Sequence, residues 1–333
     1  MAGQMMRAVQ YSTFGGGAAA LQHVEVPVPV PAKDQVLVKV EAASVNPVDW
    51  KVIQEGLFKV VLPAKMPHIP GTDIAGEVVA LGPGVTSFAI GDKVSSWTDL
   101  RNGGSMAEYA VAPIKTTAKR PESVSAIDGA SLGVAGTTAL QSVRDSAGIK
   151  LDGSCKDKNL LITAASGGVG TYAVQLAKLG GAHVTATCGS RNIALIKSLG
   201  ADEVLDYKTP EGASLQSPSG RKYDAVIHCA KYQPFSYFKP QLAKTAKVID
   251  LTPSGKGLLA TGLQLATFSS QKFVPFLMSA SGNDLALLTN LINEGKLKTV
   301  VDSTFPLSKA EKAWEKQIEG HSTGKILITM VGE

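Results

Sequence analysis

A chain of 333 residues exceeds the usual size of one domain, so two domains with a well-buried core are expected. Apolar residues make up 44% of it and charged residues 18%, a balance that excludes an extended disordered chain. A formal charge of +5, with no long block of like charges, argues against a nucleic-acid partner but still favours anionic cofactors or an anionic membrane face.

The first third reads as a β-rich domain. Residues 35–42 alternate apolar and polar, 76–81 form a strand that stops at Gly82-Pro83-Gly84, and Gly91-Asp92 opens another turn. Pro27, Pro29 and Pro31 predict an extended connector, since proline lacks the ladder donor of a central strand.

From about Ser125 the pattern changes to a helical stretch ending at Gly148, then strands over 158–164, 182–188, 203–205, 223–229 and 247–251, with helices over 169–179 and 192–199. Alternating strands and helices predict a doubly wound parallel sheet. Helices over 284–294 and 308–318 and strands over 300–305 and 325–330 close the chain, and the last strands are expected to rejoin the first domain. The expected division is 1–127 with 282–333, and 128–281.

Residues 257–283 carry Lys272 as their sole ionisable side chain, yet polar residues interrupt them too often for a bilayer span. A buried strand plus a cleft wall or subunit contact is expected there, with peripheral membrane contact as the alternative. Cys155, Cys188 and Cys229 form no C-x-x-C pair and no even set, which predicts a reducing compartment without disulfides. Residues 1–10 lack a signal core and a transit pattern, so no cleaved leader is expected.

The most informative segment is Leu160-Leu161-Ile162-Thr163-Ala164-Ala165-Ser166-Gly167-Gly168-Val169-Gly170. Ala164, Gly167 and Gly170 are small where a backbone must turn tightly between strand and helix and approach a pyrophosphate at the helix N-terminus. Folds that select NAD place an acid on the ribose hydroxyl about 20 residues further on. None is present from Lys158 through Ala201; the corresponding position reads Cys188-Gly189-Ser190-Arg191-Asn192. An Arg beside a hydroxyl suits a 2′-phosphate, so NADPH is expected over NADH. The alternative is Arg191 as a solvated helix-start residue.

The segments Ser44-Val45-Asn46-Pro47-Val48-Asp49-Trp50-Lys51, Gly71-Thr72-Asp73-Ile74-Ala75-Gly76-Glu77-Val78, Ala135-Gly136-Thr137-Thr138-Ala139-Leu140, the glycine loop and Thr323-Gly324-Lys325 together resemble the medium-chain dehydrogenase/reductase superfamily, quinone oxidoreductase branch. Tyr11 with Gly15-Gly16-Gly17, Thr185-Ala186-Thr187-Cys188 and Leu205-Asp206-Tyr207-Lys208-Thr209-Pro210-Glu211-Gly212 resemble its plant chloroplast-envelope members. The resemblance implies a GroES-like β-rich catalytic domain plus a Rossmann NADPH-binding domain. It also implies a location at the inner plastid envelope; composition alone would say cytosol.

Zinc-dependent members of that superfamily place a Cys ligand near Asn46 and a Gly-His-Glu motif at Gly71-Thr72-Asp73. Both sets of ligands are missing, so no metal is expected and hydride transfer to an already polarised acceptor is the chemistry left. By the resemblance Asn46 lies beside nicotinamide and substrate, and Thr138 contacts the cofactor near the nicotinamide ribose. Ala165, Ser166, Gly167, Gly168, Val169 and Gly170 would hold the pyrophosphate, Ser190 and Arg191 after Cys188 the 2′-phosphate, and Tyr207 the adenosine end. His228, Cys229 and Thr252 would border the cofactor, and Lys325 would lie near it.

Plainer readings stay open. Asn46 can cap the turn before Pro47, Asp49 and Lys51 can form an ion pair rather than handle protons, His228 can be a satisfied interior imidazole, and Cys229 a small buried side chain. The expected substrate is a small carbonyl compound or quinone, with an iminium or terpenoid enone as alternative; a non-catalytic NADPH sensor is a rival of another class. The chain is expected as a monomer or homodimer.

Overall fold

In a computed structural model of the chain, the residues described are 3–54, 65–252 and 270–330. They divide into one unit of Met1–Thr137 with Ala280–Glu333 and a second of Thr138–Ser279.

The first unit holds an antiparallel pair, β1 (Met5–Tyr11) with β2 (Leu21–Pro27), and a sheet built on β3 (Gln35–Val45) and β4 (Asp73–Leu81). β5 (Lys93–Trp97) and β7 (Thr117–Lys119) extend that sheet beyond β4, and β6 (Tyr109–Pro113) pairs with β3. β3 buries both faces: Val36, Val38 and Val40 join Ile74, Val78 and Val94, while Leu37 packs with Met6, Ala8 and Ala107. This explains a strand whose apolar content exceeds simple alternation.

The chain's end returns to this sheet. β15 (Lys325–Thr329) pairs antiparallel with β3 and parallel with β14 (Val301–Pro306). Helix Ala310–Glu319 sets Ala310, Ala313 and Trp314, one face of its 3.6-residue period, against Tyr11, Val45, Ile53 and Ile328.

The second unit is a parallel sheet of β8 (Asn159–Thr163), β9 (His183–Cys188), β10 (Glu203–Asp206), β11 (Tyr223–His228), β12 (Leu242–Asp250) and β13 (Lys272–Pro275). The spatial order β10-β9-β8-β11-β12-β13 is that of a dinucleotide-binding sheet. Helix Gly168–Leu179 follows β8 and buries Tyr172, Ala173, Leu176 and Ala177.

Several expectations shift. The units divide after Thr137 rather than 127, because helix Ala126–Ala130 and the turn after it pack on the first sheet, where Val134 N donates to Asp73 at 2.9 Å. The helical stretch is interrupted by wide turns at Leu132–Gly136 and Ser142–Ser146. β1 and β2, on either side of Gly15-Gly16-Gly17, are strands beyond those expected. Phe235 and Phe238 pack with Phe273 and Leu161 in the second unit's core. Of the low-charge stretch 257–283, residues 257–269 lie outside the described residues, and β13 supplies the expected strand. Among the described residues no helix is long and apolar enough to cross a membrane.

Candidate active site

Three strands of the first unit deliver a buried polar cluster. Register pairs Ser44 with Asp73 and Ile326 with Val45, so Asn46, just past β3, meets Asp73 at the start of β4 and Lys325 at the start of β15. Gly324 makes this possible: its φ is 88°, and a Cβ there would meet the Val300 carbonyl oxygen at 2.1 Å. Gly133 does the same for Asp73, since a Cβ would stand 2.2 Å from Asp73 Oδ1.

Every polar atom of the Asn46 carboxamide is engaged. Its Nδ2 donates to Asp73 Oδ2 at 2.9 Å and to Ser44 Oγ at 3.3 Å, and its Oδ1 accepts from Lys325 Nζ at 2.5 Å. Asp73 also accepts from Ser44 Oγ at 2.8 Å and from Val134 N. Asp49 sits in the first turn of helix Pro47–Gln54, where its Oδ2 accepts from Asn46 N at 2.7 Å, half of a capping box, and its Oδ1 accepts from Thr72 Oγ1 at 3.3 Å. Asp49, not the Asn46 side chain, therefore serves the start of that helix.

Asn46, Asp49, Asp73 and Lys325 are all under 5% exposed. Burial pushes the Asp49 carboxyl up to about 7, with the nearby Asp73 charge adding to the rise. Burial raises Asp73 as well, against the pull of Lys325, and it lowers Lys325 against the pull of Asp73 and Asp49. The ion pair between Asp49 and Lys51 does not form: Lys51 Nζ lies 5.8 Å from the Trp50 ring centroid, and Asp49 faces inward.

A zinc ion does not fit these residues. Asn46 Oδ1 already holds an ammonium, both Asp73 oxygens accept protein hydrogen bonds, and Thr72 brings a hydroxyl in place of an imidazole. Among the described residues no group of three or more His, Cys, Asp or Glu side chains could hold a metal ion.

In the second unit the residues expected at a dinucleotide gather at the carboxyl ends of the parallel strands. Ala164 takes a left-handed φ of 48°, and the turn is tied to β9 by Ala165 N donating to Thr187 O at 2.8 Å. Gly167 precedes helix Gly168–Leu179 with no side-chain cap, and Gly170 is packed so tightly that a Cβ would meet Ala165 Cα at 2.6 Å. The turn thus presents bare backbone N–H groups at a helix start, which fits a pyrophosphate. Beyond β9, Ser190 and Arg191 are exposed, and Tyr207, 46% exposed, lies beside Gly189 with its N donating to Cys188 O at 3.2 Å.

His228 takes the plainer role. The Lys231 carbonyl accepts from Nε2 at 2.9 Å, so Nδ1 accepts from Thr163 Oγ1 at 2.8 Å, and that oxygen accepts from Cys229 N at 3.1 Å. Burial lowers the imidazole's pKa, leaving it neutral, and Phe238 lies edge-on at 5.0 Å. Burial pushes the Cys229 thiol up to about 12, so it is no nucleophile. Thr252 Oγ1 donates to Ala230 O at 2.7 Å. Thr138, on helix Thr137–Gln141, opens this unit and is buried. Lys325, expected near the cofactor, meets Asn46 within the first unit.

Sequence reasoning did not single out Ser44, Thr72 and Asp73 as members of the site. The available signal was an acid at the very start of β4, at a position that is fully buried.

The comparisons agree with this architecture. Residues 32–122 match the alcohol dehydrogenase GroES-like domain, and residues 199–328 match the zinc-binding dehydrogenase family. The chain is 57% identical to the chloroplast envelope quinone oxidoreductase homolog of Arabidopsis thaliana, over 98% of this chain and 99% of the relative. The chain belongs to the medium-chain dehydrogenase/reductase superfamily, in its quinone oxidoreductase branch. It is also 32% identical to the NADPH-dependent alkenal/one oxidoreductase, chloroplastic, of the same plant, over 97% of this chain and 79% of the relative. The solved quinone oxidoreductase of Coxiella burnetii superposes with a TM-score of 0.88 at 31% identity, covering 98% of this chain and 100% of that one. Membership in this superfamily makes the chain an oxidoreductase that works with a nicotinamide cofactor.

Proposed function

We propose that the protein is an NADPH-dependent reductase that delivers hydride to the C=C bond of α,β-unsaturated carbonyl compounds, or to quinones, without a metal. The observation that carries this reading is the polar cluster of Asn46, Asp73 and Lys325, where a carboxamide stands near the place of a zinc-binding Cys of zinc-dependent relatives and its oxygen is taken by an ammonium. Without a Lewis acid, an alcohol is a poor substrate, whereas a conjugated acceptor is polarised already.

NADPH, when bound, supplies the hydride. The turn from Ala164 to Gly170 holds the pyrophosphate through backbone N–H groups, Ser190 and Arg191 hold the 2′-phosphate, and the Tyr207 ring covers the adenosine end. Asn46, Asp49, Lys51 and Thr138 serve the reacting end. Charge that moves to the substrate oxygen is stabilised by fixed dipoles in a site that excludes water. The names of the relatives support both the quinone and the alkenal or enone classes as acceptors. They also support a plastid location, here at the inner envelope by peripheral contact, which a fluorescent fusion would test.

The experiment is NADPH oxidation over a panel of alkenals, γ-ketols, enones, quinones and simple ketones, before and after dialysis against a chelator. Turnover confined to conjugated acceptors and quinones, unchanged by the chelator, is expected. Cofactor binding with no turnover would point to a sensor, and activity lost on chelation would overturn the metal-free reading.

A further inference from the structure

Resting on that reading, we propose that Lys325 is a positioning residue, which together with Asp73 clamps the Asn46 carboxamide in a single orientation and so holds Asn46 in place at the reacting end of the site.

The geometry is that of a two-sided clamp. The carboxamide nitrogen faces the Asp73 carboxylate and the oxygen faces the Lys325 ammonium. Turning the amide over would set its oxygen against the carboxylate and its NH2 against the ammonium, acceptor facing acceptor and donor facing donor. Both jaws are anchored. Asp73 is held by Val134 N and Ser44 Oγ, and Lys325 by its own backbone N, which donates to Val300 O at 2.8 Å.

A merely stabilising role accounts poorly for this arrangement. An ammonium and two carboxyls buried together cost more desolvation than a well-packed apolar trio of the same volume. What ions add that an apolar trio cannot is a fixed direction for the amide between them. Lys325 thus acts through Asn46, within one unit, rather than as a contact to the cofactor.

The test is a double-mutant cycle with Lys325→Met and Asn46→Leu in the full-length protein, following kcat with an enone acceptor and the Kd for NADPH by fluorescence titration. Each single change is expected to lower kcat about tenfold or more, the loss of a hydrogen bond to a charged group, with the NADPH Kd within about twofold. The double variant is expected to be no slower than the slower single one. Multiplicative losses, or a raised NADPH Kd with kcat retained, would overturn the proposal.

A second measurement needs neither turnover nor variants that fold. In protein labelled with 15N-asparagine, the two side-chain protons of Asn46 are expected to have widely separated shifts and slow exchange. Free exchange like that of a surface asparagine would overturn the clamp even if the enzyme were active. Slow exchange in a protein that reduces no acceptor would leave the clamp standing and refute the proposed reaction.

Discussion

Lys325 Nζ lies 2.5 Å from Asn46 Oδ1, a hydrogen bond between residues 279 positions apart in the chain. The contact exists because β15 returns to pair with β3, so the last strand of the chain completes a cluster begun in the first fifty residues. Folding of the first unit and assembly of the cluster are one event, since the register that sets Ile326 against Val45 also brings the ammonium to the amide.

Asp49 makes stability depend on pH. Its carboxyl titrates at about 7 when folded and near 3.9 when unfolded, so between these values the folded state holds more protons. The stability it contributes is complete at the acid end and is lost as pH rises towards 7. His68, lowered to about 4 by burial, acts in the opposite sense: the folded state resists its protonation, so stability falls as pH drops from about 6.5 to 4. Asp49→Asn isolates the first effect. An asparagine can accept from Asn46 N and donate to Thr72 Oγ1, so the variant's stability relative to the parent is expected to be greater at pH 8 than at pH 5 in denaturant titrations. A constant difference at both pH values would contradict the assignment.

Two glycines of the phosphate turn separate fold from binding. A Cβ at Gly170 would meet backbone atoms of Ala164 and Ala165 at 2.6–2.8 Å, so Gly170→Ala is expected to destabilise by about 1–3 kcal/mol through overpacking. At Gly167 the nearest atom is Ala164 O at 3.4 Å and φ is −80°, which alanine tolerates. Gly167→Ala should therefore melt with the parent yet bind NADPH at least about tenfold more weakly, because its methyl group occupies the approach to the helix start. Thermal melts and calorimetry check both.

Arg191→Glu is expected to invert or erase the preference for NADPH over NADH, since an acid repels the 2′-phosphate and accepts from a ribose hydroxyl. The readout is the ratio of kcat/KM for the two cofactors, and an unchanged ratio would refute the role of Arg191.

The thiol of Cys229, pushed up to about 12, is expected to resist alkylation at pH 7.5, and Cys229→Ser to keep full activity. Peptide mapping after iodoacetamide treatment and a parallel rate measurement test both statements.

The second unit was more legible in the sequence than the first. Its central strand β8 is an apolar run that leads straight into the glycine turn at residues 164–170, and strands and helices alternate after it as a parallel sheet requires. The first unit has short strands such as β5 and β7, too brief for a two-residue period to announce them. The cluster shows the same divide. Asn46 and Asp49 could be picked out beside Pro47, but the tie between Asn46 and Lys325 depends on a strand register that no spacing encodes. The resemblance sets His228 and Cys229 beside the cofactor; the hydrogen bonds of the imidazole to Thr163 and Lys231, within its own unit, follow from strand pairing and not from any spacing.

The most direct measurement uses NADPH carrying deuterium at the transferred C4 position, a conjugated enone as acceptor, and product analysis by NMR. The expected product is a saturated ketone with deuterium at the β-carbon. Deuterium at a carbinol carbon, the mark of C=O reduction, would contradict the proposed chemistry.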